Sequence, residues 1–489
     1  MRKTIIEHVS EYAICQPDKV AIVVKEVETS YSELFRLVRG YSRFLKKIGI
    51  KKRDVIVVKA SQSLEYVVAY LAIHLCHAVV ASVEKSVTEN GVKEIAERLK
   101  ANTIISHELI SYNNVSLKAH DILMVAKKYF DEAEEYEFPD LEDSADILFT
   151  TGTTGLSKGV ELSHKTLVAT AENLIYGCEY KNDTVIIVPG PLNHANAIRK
   201  LFTSLANGSI IYILNGMMSI NDFYKALDYK KGTIACCLPP AAIRKIFQMS
   251  MDRIGEYADK IDFIESASSP LPESDKQRLC RLLPNTRLYN NYGSSEAASV
   301  CIYDYNKMQG LVDCIGKPMP NLTVIIVDEN KKKIESSKEK MGYIACIGDT
   351  NMKGYVNDIE ATNAVLKDGV VYTNDIGYID ENGYVYICGR KGDVINVGGF
   401  KVAPTEVESI ALEYNEIGDC ICIGVDDSTF GKVLKLLYVL NEDNEFSLSK
   451  FKRFLINKLE SYKIPKYYQE VNAIEKTYNG KKDRKYYSY

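Results

Sequence analysis

Between Phe149 and Gly159 the chain reads FTTGTTGLSKG, with three glycines, four threonines and one lysine in eleven residues. Gly152, Gly155 and Gly159 free the backbone to curl, so successive N–H groups can converge on a polyanion. Thr150, Thr151, Thr153 and Thr154 add hydroxyl donors, and Lys158 adds a positive charge. These are the parts needed to hold a nucleotide triphosphate. The spacing is not that of a Walker loop, which sets glycine before its lysine and Ser or Thr after it. Here Ser157 precedes Lys158 and Gly159 follows, so a kinase-like or hydrolytic P-loop ATPase fails on spacing.

The segment resembles the phosphate-binding signature of the adenylate-forming superfamily, which includes acyl-CoA synthetases, adenylation domains of nonribosomal peptide synthetases and luciferases. That signature usually has proline where Ser157 stands. Further signatures follow in order. YNNYGSSEAA, Tyr289 to Ala298, resembles the second of them. The resemblance implies that Glu296, with Thr154 of the loop, binds Mg²⁺, a cation that takes oxygen ligands and keeps substrate phosphates in its shell. It also implies that Tyr292 offers a flat face to adenine, with Asn291, Gly293 and Ser295 around the nucleotide. ESASSPLP from Glu265 resembles the stretch that wraps adenine through backbone contacts, with Ser268, Ser269 and Pro270 where the family prefers Gly-Ala-Pro.

YTNDIGYID, Tyr372 to Asp380, resembles a signature normally written with glycine at Asn374. The resemblance gives Asp375 both ribose hydroxyls to accept from, as acidic residues do in dinucleotide folds. Arg390, fifteen residues on, would donate to the same ribose. Asn374 is expected to tolerate the left-handed backbone of a glycine position. PLNHANAI, Pro191 to Ile198, resembles the stretch carrying an aromatic gate to the acyl pocket, and His194 fills that slot as a candidate catalytic residue. Amino-acid-activating members usually place an Asp there for the substrate amine. None stands in this stretch, which tilts the substrate towards an acid without an α-amino group. EKTYNGKKDR, Glu475 to Arg484, resembles the C-terminal signature, and Lys481 aligns with its mobile catalytic lysine while Lys482 falls one position late. The family hinge falls on Gly392, and Gly398, Gly399 and Lys401 would line the thiol tunnel.

Taken together, the resemblance implies an ATP- and Mg²⁺-dependent acid–thiol ligase that forms an acyl-AMP and then a CoA thioester. An enzyme that loads an acyl or aryl acid onto an acyl carrier protein is the alternative. A luciferase-type oxygenase shares these motifs.

Strands and helices alternate along the chain. Short apolar strands such as VIVV at Val55, TIIS at Thr103, VIIVP at Val185 and TIACCL at Thr233 are separated by helix-length segments, which predicts parallel α/β layers. Ala145 to Phe149 reads as a strand leading into the phosphate loop, with a helix from about His164 beyond it. Strands crowd between Leu322 and Cys346, predicting a small antiparallel β unit. GYIDENGYVYICGR carries a hairpin signal at Glu381 to Gly383. At 489 residues more than one domain is expected. The predicted division is 1–391 for ATP and acyl binding and 392–489 for a mobile α+β lid.

With 46% apolar and 26% charged residues, the composition is that of an ordinary globular protein. A net charge of −4 argues against a general nucleic-acid binder, although Lys450 to Tyr489 holds eleven Lys or Arg against four Asp or Glu. Twelve cysteines without a C-x-x-C pair predict free thiols in a reducing cytoplasm. Tyr66 to Val83 carries no formal charge, but His74, His77 and a β-branched tail predict a buried helix and strand rather than a membrane span.

Overall fold

The computed structural model describes residues 2–111, 115–130, 136–149, 158–217, 219–391, 395–397, 400–427, 431–441, 446–476, 482–484 and 486–487, with the backbone alone at 396, 400, 401 and 431. The chain opens on the amphipathic helix Ile5–Cys15, started by a capping box in which Thr4 and Glu7 bond each other's backbone N–H. Its Ile5, Ile6 and Val9 are buried.

Two sheets carry the first 390 residues. In one, Val55–Lys59, Val79–Val83, Thr103–Ser106 and Ser144–Phe149 run parallel, and Gly159–Ser163 returns antiparallel beside Ser144–Phe149. The strand ahead of the phosphate loop is anchored in the interior. Asp146 accepts from the Tyr70 hydroxyl at 2.7 Å and lies 2.9 Å from His74 Nε2. Tyr70 and His74 sit on Leu64–Leu75, the buried helix expected there. Among the described residues no helix is long and apolar enough to cross a membrane.

The second sheet has a parallel heart of Val20–Val24, Ile210–Ile213, Thr184–Val188, Thr233–Cys237, Ile261–Ser266 and Arg287–Ser294. It then turns antiparallel through Ala298–Asp304 and into Leu322–Val327, Gly342–Gly348, Val370–Ile379 and Val385–Arg390. The mixed α/β layering and the antiparallel unit are those expected from sequence. So is the hairpin at Glu381 to Gly383, where Gly383 takes φ +79° in the turn.

The sheet pattern breaks after Arg390. Ile395–Val397 pairs with Phe400–Val402, and Ile417–Asp427, Gly431–Leu440 and Tyr467–Glu470 form a separate three-stranded sheet. Among the described residues, the core of this smaller unit, with Val407, Cys420, Leu436 and Phe451, contains no side chain from before residue 395. Gly392, Gly398 and Gly399 lie outside the described residues, as does the side chain of Lys401.

Candidate active site

Tyr292, Asp375 and Arg390 come together on the second sheet. Asp375 and Arg390 face each other across an antiparallel pair, where a register shift between Ile376 and Gly377 displaces the pairing that starts at the Gly383 hairpin by one residue. Arg390 Nε donates to Asp375 Oδ1 at 2.6 Å, and the Tyr292 hydroxyl donates to Oδ2 at 2.5 Å. Asp375 is buried, while Arg390 remains exposed. Burial and the adjoining carboxylate push the Tyr292 phenol well above its ordinary range, so it stays a donor. An aromatic ring, a carboxylate and a guanidinium brought together on one sheet suit a nucleoside.

Asn374, beside this carboxylate, corrects an expectation. It lies in extended strand and is not among the residues with positive φ. Its exposed side chain is tolerated because the strand asks for no left-handed turn there. Ser268 is the reverse case. It holds φ +79°, the conformation that favours the glycine of the related signature. Ser268 and Pro270 are exposed and Ser269 is half-buried, all directly after the strand Ile261–Ser266.

Glu296 occupies the tight turn after Arg287–Ser294, next to Ser295. Gly293 permits that turn, since a Cβ there would lie 1.9 Å from the Ala298 carbonyl oxygen. The segment at Met352 to Tyr355 clamps Glu296. Met352 N–H donates to its backbone carbonyl at 2.8 Å, and the Tyr355 hydroxyl donates to its Oε1 at 2.8 Å. Lys158 Nζ lies 5.0 Å above the same Tyr355 ring. One tyrosine therefore joins the lysine of the candidate phosphate loop to the candidate metal ligand. Thr150, Thr151, Gly152, Thr153, Thr154 and Gly155 lie outside the described residues.

His194 is half-buried and opens the helix Ala195–Asn207, and burial lowers its pKa from the ordinary imidazole value. Five and six residues along, Arg199 and Lys200 are buried. Arg199 Nη2 donates to the Ser294 carbonyl at 2.7 Å, and burial, partly offset by Glu296 and Glu265, lowers its pKa to about 10. Asn291 turns inward, donating to Glu265 at 2.7 Å, rather than joining Tyr292. Sequence reasoning missed Tyr355, Arg199 and Lys200. The two cations had a signal, since they interrupt the apolar face of AIRKLF; Tyr355 had none.

Lys481 lies outside the described residues. Its neighbour Lys482 is committed elsewhere, to Glu408 at 3.4 Å, Asp419 at 3.2 Å and the Cys420 carbonyl. A lysine tied into the core of the small unit is not available for chemistry, which keeps Lys481 as the candidate.

Two relatives align along nearly the whole chain. The 2-succinylbenzoate–CoA ligase of Staphylococcus epidermidis is 25% identical over 97% of this chain and 96% of its own length. The long-chain-fatty-acid–CoA ligase of Bacillus subtilis is 25% identical over 98% and 93%. The fold is that of ATP-bound MatB from Rhodopseudomonas palustris, with a TM-score of 0.87 at 22% identity, covering 100% of this chain and 98% of that one. The model of the AMP-binding enzyme family matches residues 9–356 and that of the AMP-binding enzyme C-terminal domain residues 406–481. With Tyr292, Asp375 and Arg390 converging on one sheet and both models matched in order, this chain belongs to the AMP-binding enzyme family.

Proposed function

We propose that this AMP-forming acid–thiol ligase converts a carboxylic acid, ATP and CoA into an acyl-CoA thioester, AMP and pyrophosphate. Both relatives described above are CoA ligases, and they match this chain almost end to end. The observation that carries the first half-reaction is the triple contact of Tyr292, Asp375 and Arg390, reached from the Glu296 turn by three residues of strand.

In that half-reaction a carboxylate oxygen attacks the α-phosphorus of ATP, and the bond to the bridging oxygen breaks, releasing pyrophosphate. Asp375 would accept from the ribose hydroxyls and Arg390 would donate to the ribose. Lys158 and the threonines of the loop would hold the leaving phosphates, and Lys481 would bridge the acid and the α-phosphate. Such positioning and charge neutralisation is what this chemistry asks of a protein. Glu296 fits Mg²⁺: it is a single half-buried carboxylate, and Mg²⁺ is usually held through one or two carboxylates plus substrate phosphates. Glu296 with Thr154 would hold the ion, which when bound neutralises charge on the phosphates.

In the second half-reaction the thiol sulfur attacks the acyl carbonyl and AMP leaves. The unit from 392 to 489 would rotate about Gly392, withdrawing Lys481 and bringing Gly398, Gly399 and Lys401 to the thiol path. The division between sheets after Arg390 supports a pivot there. Free thiols at all twelve cysteines fit a reducing compartment, and we place the enzyme in the cytoplasm, where ATP and CoA are supplied.

The test is acid-dependent pyrophosphate release, followed by thioester formation with CoA, bare pantetheine and an acyl carrier protein as alternative thiols. CoA should be the best acceptor. If a carrier protein far outperformed CoA while pantetheine matched it, the enzyme would be a carrier-loading one.

A further inference from the structure

Polar side chains gather at the carboxyl ends of three neighbouring parallel strands, beside the helix that His194 opens. That helix, Ala195–Asn207, contributes Asn196, Arg199 and Lys200, at the three- and four-residue spacing that shares a face. Thr233–Cys237 ends in Cys237, Ile261–Ser266 ends in Glu265 and Ser266, and Arg287–Ser294 adds Asn291. Open α/β sheets hold their ligands outside such strand ends.

The cluster is buried and incompletely bonded. Glu265 is 0% exposed, Lys200 and Ser266 are 1% exposed, and Asn291 is 7% exposed. Lys200 Nζ donates to Glu265 Oε1 at 3.0 Å, and Asn291 Nδ2 donates to the same oxygen at 2.7 Å and to Ser299 Oγ at 3.2 Å. Yet Glu265 Oε2, Asn291 Oδ1 and Ser266 Oγ have no hydrogen-bond partner. The Cys237 thiol, kept protonated by burial, lies against Glu265 without reaching hydrogen-bond geometry with Oε2. The Lys200 ammonium has three N–H donors and makes one hydrogen bond. Buried polar groups in folded proteins are otherwise almost always paired.

What completes such a cluster follows from its charge and its orphans. Two acceptors want a donor, and Lys200 wants an acceptor. A second carboxylate would press its lone pairs against Glu265 Oε2 and Asn291 Oδ1. An ammonium would add a third cation to Arg199 and Lys200, against the two carboxylates Glu265 and Glu296, of which Glu296 is claimed by the proposed metal. An alkyl chain would leave every orphan unpaired. A hydroxyl group donates and accepts without adding charge.

We propose that the acid activated by this enzyme carries a hydroxyl group, which is read by Lys200, Glu265 and Asn291. The proposal rests on the acyl-activating function above, with this cluster as the inner wall of the acyl pocket beside His194.

The test uses pairs of acids that differ only by a hydroxyl, placed at successive positions on short aliphatic and aromatic frames. Amino acids and dicarboxylic acids of the same size are included, and acid-dependent pyrophosphate release is read. A site that bonds a substrate hydroxyl rejects the analogue lacking it, so the best hydroxy acid should exceed its deoxy partner by at least about 100-fold in kcat/KM. Lys200→Met combined with Glu265→Leu exchanges the buried ion pair for apolar residues, which such cores often accept. That variant should lose the preference while still activating the deoxy acid. Asn291→Leu leaves the ion pair intact and should weaken the preference in the same direction, should the double variant not fold. Wild-type preference for a deoxy, amino or dicarboxylic acid would overturn the proposal, as would a hydroxyl preference untouched by either variant. In those cases the activation of acids itself stands. Pyrophosphate release with no acid at all would instead overturn the proposed function.

Discussion

The hydroxyl of Tyr292 donates to Asp375 at 2.5 Å, across 83 residues of sequence, and Arg390 takes the other oxygen of the same carboxylate. The two contacts fix Asp375 in the position proposed for ribose binding, and together they require both of its oxygens to be acceptors.

Asp375→Asn places an NH₂ donor against one of these donors. Hydrogen bonds to charged groups are worth about 1.5–3 kcal/mol. We therefore expect kcat/KM for ATP to fall by roughly 10- to 100-fold, with the far-UV spectrum and melting temperature close to wild type. Tyr292→Phe, which removes only one donor, should do less. Unchanged ATP kinetics in Asp375→Asn would show that this carboxylate does not touch the nucleotide.

Gly293→Ala tests the turn that carries Glu296. The added Cβ would sit 1.9 Å from the Ala298 oxygen and 2.9 Å from its carbonyl carbon, both backbone atoms of the paired strand. Overpacking of this kind typically costs about 1–3 kcal/mol. The variant should denature at lower urea and lose Mg²⁺-dependent pyrophosphate release together. Wild-type behaviour in both measurements would mean that the turn can shift without moving Glu296.

How much of this was written in the sequence depends on how far apart the partners are. Local signals served well. The turn at Gly383 and the alternation on both sides of it give the hairpin that carries Asp375 and Arg390, and the alternating strand and helix lengths gave the α/β layers. The one-residue register shift that sets the two side chains opposite each other was not legible. Contacts closed by tertiary packing were illegible. Tyr355 reaches Glu296 over 59 residues and Lys200 reaches Glu265 over 65, and no local pattern encodes either distance. Asn374 shows the opposite failure. A left-handed backbone was inferred from the glycine it replaces, while the strand it occupies is extended. Ser268 keeps the left-handed φ without the glycine, so at that position backbone geometry outlasts residue type.

Stability should fall in mild acid because of His164. It is buried, neither ring nitrogen has a partner, and burial, then the nearby His74 and His77, push its pKa well below 6.5. The unfolded chain protonates this residue near 6.5 and the folded chain does not, so below that pH the unfolded state binds the extra proton. The contribution is complete above about pH 6.5 and is lost at up to about 1.4 kcal/mol per pH unit beneath it. His194, lowered in the same direction by burial, adds to the slope. Thermal melts from pH 8 to pH 5 should show Tm dropping below pH 6.5. A variant His164→Gln should flatten part of that drop, and an unaltered slope would place the sensitivity elsewhere.

The two adjacent lysines near the C-terminus should separate stability from chemistry. Lys482 bonds Glu408, Asp419 and the Cys420 carbonyl, although Glu408 keeps Arg484 and the Cys422 N–H, and Asp419 keeps Lys476, when Lys482 is removed. Lys482→Ala should therefore cost about 1–3 kcal/mol of stability in the small unit while sparing the adenylation rate of the folded enzyme. Lys481→Ala should do the reverse. Losing one transition-state donor typically costs about 10²- to 10³-fold, so acyl-AMP formation should nearly vanish with the melting temperature unchanged. Thioester formation from supplied acyl-AMP should survive, because the proposed rotation withdraws the lysine before that step. Single-turnover assays of each half-reaction, run beside thermal melts, distinguish the two. If Lys482→Ala abolished adenylation in a protein that melts normally, the catalytic lysine would be the second of the pair. If Lys481→Ala slowed both half-reactions equally, the rotation about Gly392 would not divide the work as proposed.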